Sequence, residues 1–127
     1  MHTARSLHLL DSIALITPAM ADGVVVTGSH GGTSAAGFVL ALEKKPWAVF
    51  FNDAGIGKDD AGIAALSLMQ SVGVLAAVYA HTSARIGDAD DGLRHGVITR
   101  CNALARAAGV AGDQTVLSLV QRFTTSC

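Results

Sequence analysis

Most of the side chains able to do chemistry fall in three short stretches. The first, residues 28–34, reads Gly-Ser-His-Gly-Gly-Thr-Ser. Its glycines let backbone amides come close to an anion, and hydroxyls at the start of a helix add donors where the dipole favours negative charge. Ser29, Gly31, Gly32, Thr33 and Ser34 are therefore candidate contacts for a phosphate or carboxylate, with His30 beside them as a group able to move protons. The stretch has neither the Gly-x-Gly-x-x-Gly dinucleotide fingerprint nor the Gly-Lys-Ser/Thr of a P-loop. A tight turn with Ser34 as a helix cap is the plainer alternative.

The second stretch runs from Asn52 to Asp60. Asp53 follows a hydrophobic run, a position suited to a general base or a ligand holder, with Asn52 as a further contact. Lys58 precedes Asp59 and Asp60, which favour its charged form, so it is a candidate to neutralise an anionic substrate or a developing oxyanion. Desolvated, the same lysine would serve as a base or form a Schiff base. Read plainly, Asp53 is a turn residue, Asp59 or Asp60 a cap, and Lys58 a solvated charge. The third stretch, from His81 to Asp91, combines an imidazole with Ser83, Arg85 and Asp88. The Arg85 guanidinium is a planar fork for an anion, or else half of a pair with Asp88 that pins a long loop. Asp90, Asp91 and Arg94 read as a helix start, with His95 structural or exposed in the first turn.

His30, Asp53, Asp59, His81 and Asp88 supply nitrogen and oxygen donors, but no local spacing demands a metal, and none is expected. No cofactor is implied either, although the first stretch would suit a flavin phosphate. Ser29 or Ser34 with His30 and Asp53 could form a nucleophile, base and orienter, yet no Gly-x-Ser-x-Gly elbow supports that reading. Cys101 and Cys127 lack a metal-type spacing, and a structural disulfide is not expected.

These groups need elements to position them. Short β-branched runs at 23–27, 47–51 and 74–80 predict buried strands, and a further strand or a helix is predicted near 7–16. Helices are expected at 35–45, with Pro46 ending the first, at 61–72, and at 114–123 capped by Asp113. Leu93, Val97, Cys101, Leu104 and Ala108 form a stripe that predicts one amphipathic helix ending at Gly109 and places Cys101 as a buried, inert thiol. The alternation predicts an α/β fold of three layers, Rossmann-like or flavodoxin-like, with a small, mostly parallel sheet of about four strands. One domain spanning 1–127 is expected. Right-handed crossovers would bring all three polar stretches to the carboxyl edge of the sheet.

Composition narrows the function classes. With 50% hydrophobic and only 5% aromatic residues, the core must be built from Ala, Val, Leu and Ile, as in a parallel sheet buried on both faces. Charged residues are 15% of the chain, low enough that a homo-oligomer is expected to cover part of its surface. A net charge of −1 without a basic stripe excludes a nucleic-acid backbone as partner. No apolar run is long enough for a membrane span. Leu7 to Ile16 followed by Ala19-Met20-Ala21 imitates an export signal, but Asp11 and Ser12 interrupt it, so a cytoplasmic setting is expected. The working expectation is an enzyme of hydrolase or lyase type acting on an anionic metabolite. A non-catalytic metabolite-binding or regulatory module, or a subunit of a larger assembly, is the alternative.

Overall fold

The computed structural model describes residues 5–55 and 63–125. Five strands form one sheet in the order in which the chain makes them: β1 (Leu7–Leu10), β2 (Val24–His30), β3 (Ala48–Asn52), β4 (Leu75–Tyr79) and β5 (Ile98–Cys101). The first four are parallel and β5 runs antiparallel to β4. The apolar runs of β2, β3 and β4 are buried throughout, because both faces of the sheet are covered. On the first face, α1 (Thr33–Leu40) and α2 (Ala65–Ser71) pack over Val25, Val49, Phe51 and Val78 together with a 3-10 turn at Ile13–Leu15. On the second, α4 (Ala103–Ala107) and α5 (Val116–Thr124) cover Val26, Phe50, Ala77 and Tyr79. The three-layer α/β arrangement is the expected one, with five strands instead of about four. No helix among the described residues is long and apolar enough to cross a membrane.

The main departure from expectation lies at 93–108. In place of one helix, the chain makes α3 (Ala89–His95), then β5, then α4. Glycine and β-branching explain the break. A Cβ at Gly96 would lie 2.4 Å from the Gly92 carbonyl oxygen and 3.0 Å from the Tyr79 ring, so the chain turns there against Tyr79. The Val97-Ile98-Thr99 run that follows prefers a pleated strand. Asn102 then restarts a helix, its side chain accepting from the Ala105 amide. Cys101 is consequently a half-buried strand residue, its thiol 3.7 Å from the Val110 carbonyl oxygen.

Other boundaries shift for local reasons. β2 runs to His30, three residues beyond its expected end at Thr27. The first helix starts at Thr33 with Gly32 as its cap, and the chain leaves it after Leu40, so Lys44 and Lys45 lie beyond the helix. Lys45 donates to the Leu42 carbonyl instead. The N-terminal run is a strand only over Leu7–Leu10, and Ser12 then caps the 3-10 turn. Thr115 caps the last helix in place of Asp113, which adopts a φ of 70°.

Residues 80–89 form a strap across the carboxyl ends of the parallel strands. It leaves β4, accepts from the Asn52 side chain at Ala84, and donates from the Gly87 amide to Gly28 at 2.7 Å. At its far end the Ala89 amide donates to Asp11, just beyond β1. Within it, Ser83 accepts from the Val97 amide and Asp88 caps α3 by accepting from the Asp91 amide. Gly28 is where strap and strand touch most closely, since a Cβ there would sit 2.3 Å from the Asp88 nitrogen. Gly28→Ala should therefore cost more than about 2 kcal/mol, because backbone has to move. Gly37, in the exposed middle of α1, has nothing within 4 Å of an added Cβ, so Gly37→Ala should stabilise by about 0.7 kcal/mol. Urea denaturation of the two variants checks both signs.

Candidate functional site

Because β2, β3 and β4 are parallel, their exits share one edge, and the ladder places His30 opposite Asn52 and Asn52 opposite Tyr79. The centre of this edge is Asp53. The Asp53 amide donates to the Tyr79 carbonyl, and its side chain is 6% exposed. Oδ1 accepts from the Gly55 amide at 2.8 Å, the His81 amide at 3.0 Å and the His81 ring Nδ1 at 3.2 Å. Oδ2 accepts from the Thr99 hydroxyl at 3.0 Å. Burial pushes the carboxyl up, but the two amides, the hydroxyl and the imidazole together outweigh it and hold its pKa below the ordinary 3.8.

An ionised carboxylate only accepts, so it assigns the proton of a neutral His81 to Nδ1 and leaves the Nε2 lone pair uncommitted. The His81 side chain is 52% exposed, so that lone pair is within reach of a ligand. No described hydroxyl is hydrogen-bonded to Nε2. Ala54 and Gly55 make the turn that wraps Asp53, with φ of 50° and 74°. Their amides are taken up by the side chains of Asn52 and Asp53 respectively. Gly55 also lies against the imidazole, since a Cβ on it would sit 3.3 Å from His81 Cε1.

The other residues singled out in the sequence divide into open and structural. His30 is exposed at the end of β2 and its side chain makes no hydrogen bond among the described residues. Gly31 donates to the Asn52 carbonyl and accepts from the Ala65 amide, while Gly32 caps α1 without a side-chain partner. Thr33 and Ser34 are exposed in the first turn of that helix. Ser29 is occupied, accepting from the Ile13 amide at 3.0 Å, and so fixes the 3-10 turn. Asn52 is buried, held between the Ala54 amide and the Ala84 carbonyl. Ser83 belongs to the strap.

The Arg85–Asp88 pair does not form. Asp88 is engaged as a cap and the Arg85 amide donates to Asp91, so no carboxylate among the described residues pairs with the guanidinium. Lys58, Asp59 and Asp60 lie outside the described residues, as does Cys127. Among the described residues, no three His, Cys, Asp or Glu side chains gather as a metal would require.

Sequence reasoning passed over two members of this cluster. Thr99 was hidden by the helical stripe assigned to 93–108; as the second residue of an antiparallel strand it starts beside the exit of β4 and so reaches Asp53. In the sequence His81 stands out only as one donor in a loop. The signal was its position two residues past a strand end, next to a strand whose own exit carries Asp53.

Comparison with protein-family models, curated proteins and solved structures returned no match.

Because the folded pKa of Asp53 is depressed, its contribution to stability is present above the ordinary carboxylate range and is lost as pH falls through the folded value. Asp53→Asn would aim an amide NH2 group at donors and lose the charge-assisted bonds, at a cost of about 2 kcal/mol at pH 7. The gap between parent and variant should stay constant from neutral pH down to about pH 5 and narrow below about pH 4, as denaturation at each pH would report.

Proposed function

We propose that the chain is a small-molecule enzyme in which His81, oriented by Asp53, moves protons on an anionic metabolite. The observation that carries this reading is the arrangement around Asp53: a buried carboxylate fixes Nδ1 of an exposed imidazole and leaves Nε2 without a partner among the described residues. A histidine held by a carboxylate is the base half of the constellation used in acyl transfer and in many lyases. Ser29 and Ser83 are committed to backbone partners and no described hydroxyl is hydrogen-bonded to His81, so in a hydrolysis the reading takes water activated by His81 as the attacking group. In a lyase the same Nε2 would take a proton from the substrate.

Three features support an anionic substrate. The first turn of α1 has no side-chain cap, Thr33 and Ser34 are exposed within it, and the Arg85 guanidinium has no acidic partner among the described residues. His30, one strand over from Asn52, is the candidate second proton carrier, and Lys58 keeps its assignment as a charge-neutralising group. The reading includes a homo-oligomer, supported by the exposure of Leu9, Leu15 and Phe38, and a cytoplasmic setting, where a free thiol such as Cys101 stays reduced.

A second reading, a metabolite-binding module without turnover, draws on one observation: no described hydroxyl or thiol is hydrogen-bonded to His81. A panel of carboxylate esters, phosphate monoesters and hydroxy acids separates the two. Turnover of one class should fall by about 100-fold or more in His81→Gln, with KM changed far less than kcat. Parent-like turnover in His81→Gln would remove His81 from the chemistry, and a stabilising ligand that is never turned over would favour the binding module.

A further inference from the structure

A concave surface bordered by neither Asp53 nor His81 lies beside β5. A cavity of about 250 Å3 sits between β5, α4 and the turn that follows α4, lined by Thr99, Arg100, Cys101, Arg106, Ala111 and Gly112 along with Val110. Two of these residues are permanently positive and none is acidic. Neither guanidinium has a carboxylate within ion-pair distance among the described residues. The surrounding segment is unbalanced in the same direction, since residues 98–125 carry Arg100, Arg106 and Arg122 against Asp113 alone.

One-signed charge on a concave wall raises the local concentration of the opposite ion, and the arginine fork fits phosphate and carboxylate oxygens in pairs. The cavity is smaller than a typical site for a drug-sized ligand, which suits a compact anion. We propose that this cavity is a second ligand site, taking a small polyanion such as a phosphate group with Arg100 and Arg106 as the positive groups of its lining. Free phosphate and the phosphate ester of a small alcohol share that chemistry. The assignment does not depend on the catalytic reading, because neither Asp53 nor His81 lines the cavity; Thr99 borders both.

Cys101 makes the site testable without knowing its natural ligand, for it lines the cavity and carries a free thiol. In the full chain carrying Cys127→Ser, Cys101 is alkylated with anionic iodoacetate and, separately, with neutral iodoacetamide. The ratio of the two rates cancels whatever fraction of the thiol is ionised and reads the local field. Arg100→Ala combined with Arg106→Ala should lower that ratio about tenfold, the low end of electrostatic steering. Inorganic phosphate at about 10 mM should slow both reagents in the parent, more than sodium chloride at the same ionic strength, and not in the double variant. Glycerol phosphate in place of inorganic phosphate distinguishes the ester from the free ion by which protects at the lower concentration.

An unchanged ratio in the double variant, or protection that sodium chloride reproduces, would overturn the proposal. The side-chain Nε–Hε resonances of Arg100 and Arg106 provide a readout that does not need the thiol to react. Shifts that saturate with phosphate support the site, and their absence overturns it.

Discussion

A carboxylate taken out of water at a sheet edge must either find donors or give up its charge, and the donors Asp53 finds fix three parts of the chain at once. The Gly55 amide holds the turn leaving β3, the His81 amide and ring hold the start of the strap leaving β4, and the Thr99 hydroxyl holds the antiparallel β5 against them. Their common attachment to one charge is what makes the carboxyl edge a defined surface.

The sheet itself sets where that surface opens. In many open α/β sheets a reversal of strand order parts the loops and creates the crevice. Here the parallel strands run β1 to β4 in sequence order, and α1, α2 and the 3-10 turn all lie on the first face. The strap crosses the strand ends, reaching Asn52, Gly28 and Asp11 in turn, and leads into α3. Among the described residues, His30, the first turn of α1 and His81 stay exposed. The fold thus uses most of its loop polarity to hold itself together, and leaves a few groups unspent.

That division explains what could be read from the sequence. The three-layer architecture and the shared edge followed from buried β-branched runs separated by glycine-rich exits, because a strand buried on both faces admits little else. Ser29, Asn52 and Ser83 look no different in sequence from Thr33 or Ser34; which hydroxyl or amide is consumed by backbone depends on contacts between residues far apart in the chain. The helix expected at 93–108 failed because its stripe of Leu93, Val97, Cys101, Leu104 and Ala108 fits helical spacing, while the deciding contact is that of Gly96 with Tyr79. Misplacing that segment also concealed Thr99, and with it the fourth donor to Asp53.

The proposed chemistry depends on the tautomer that Asp53 imposes on His81. Long-range 1H–15N correlation spectra of the imidazole, recorded at a pH where the ring is neutral, report it directly. A proton on Nδ1 and a bare Nε2 are expected in the parent, with this preference lost in Asp53→Asn. A ring protonated on Nε2, or one that averages freely between the two forms in the parent, would contradict it.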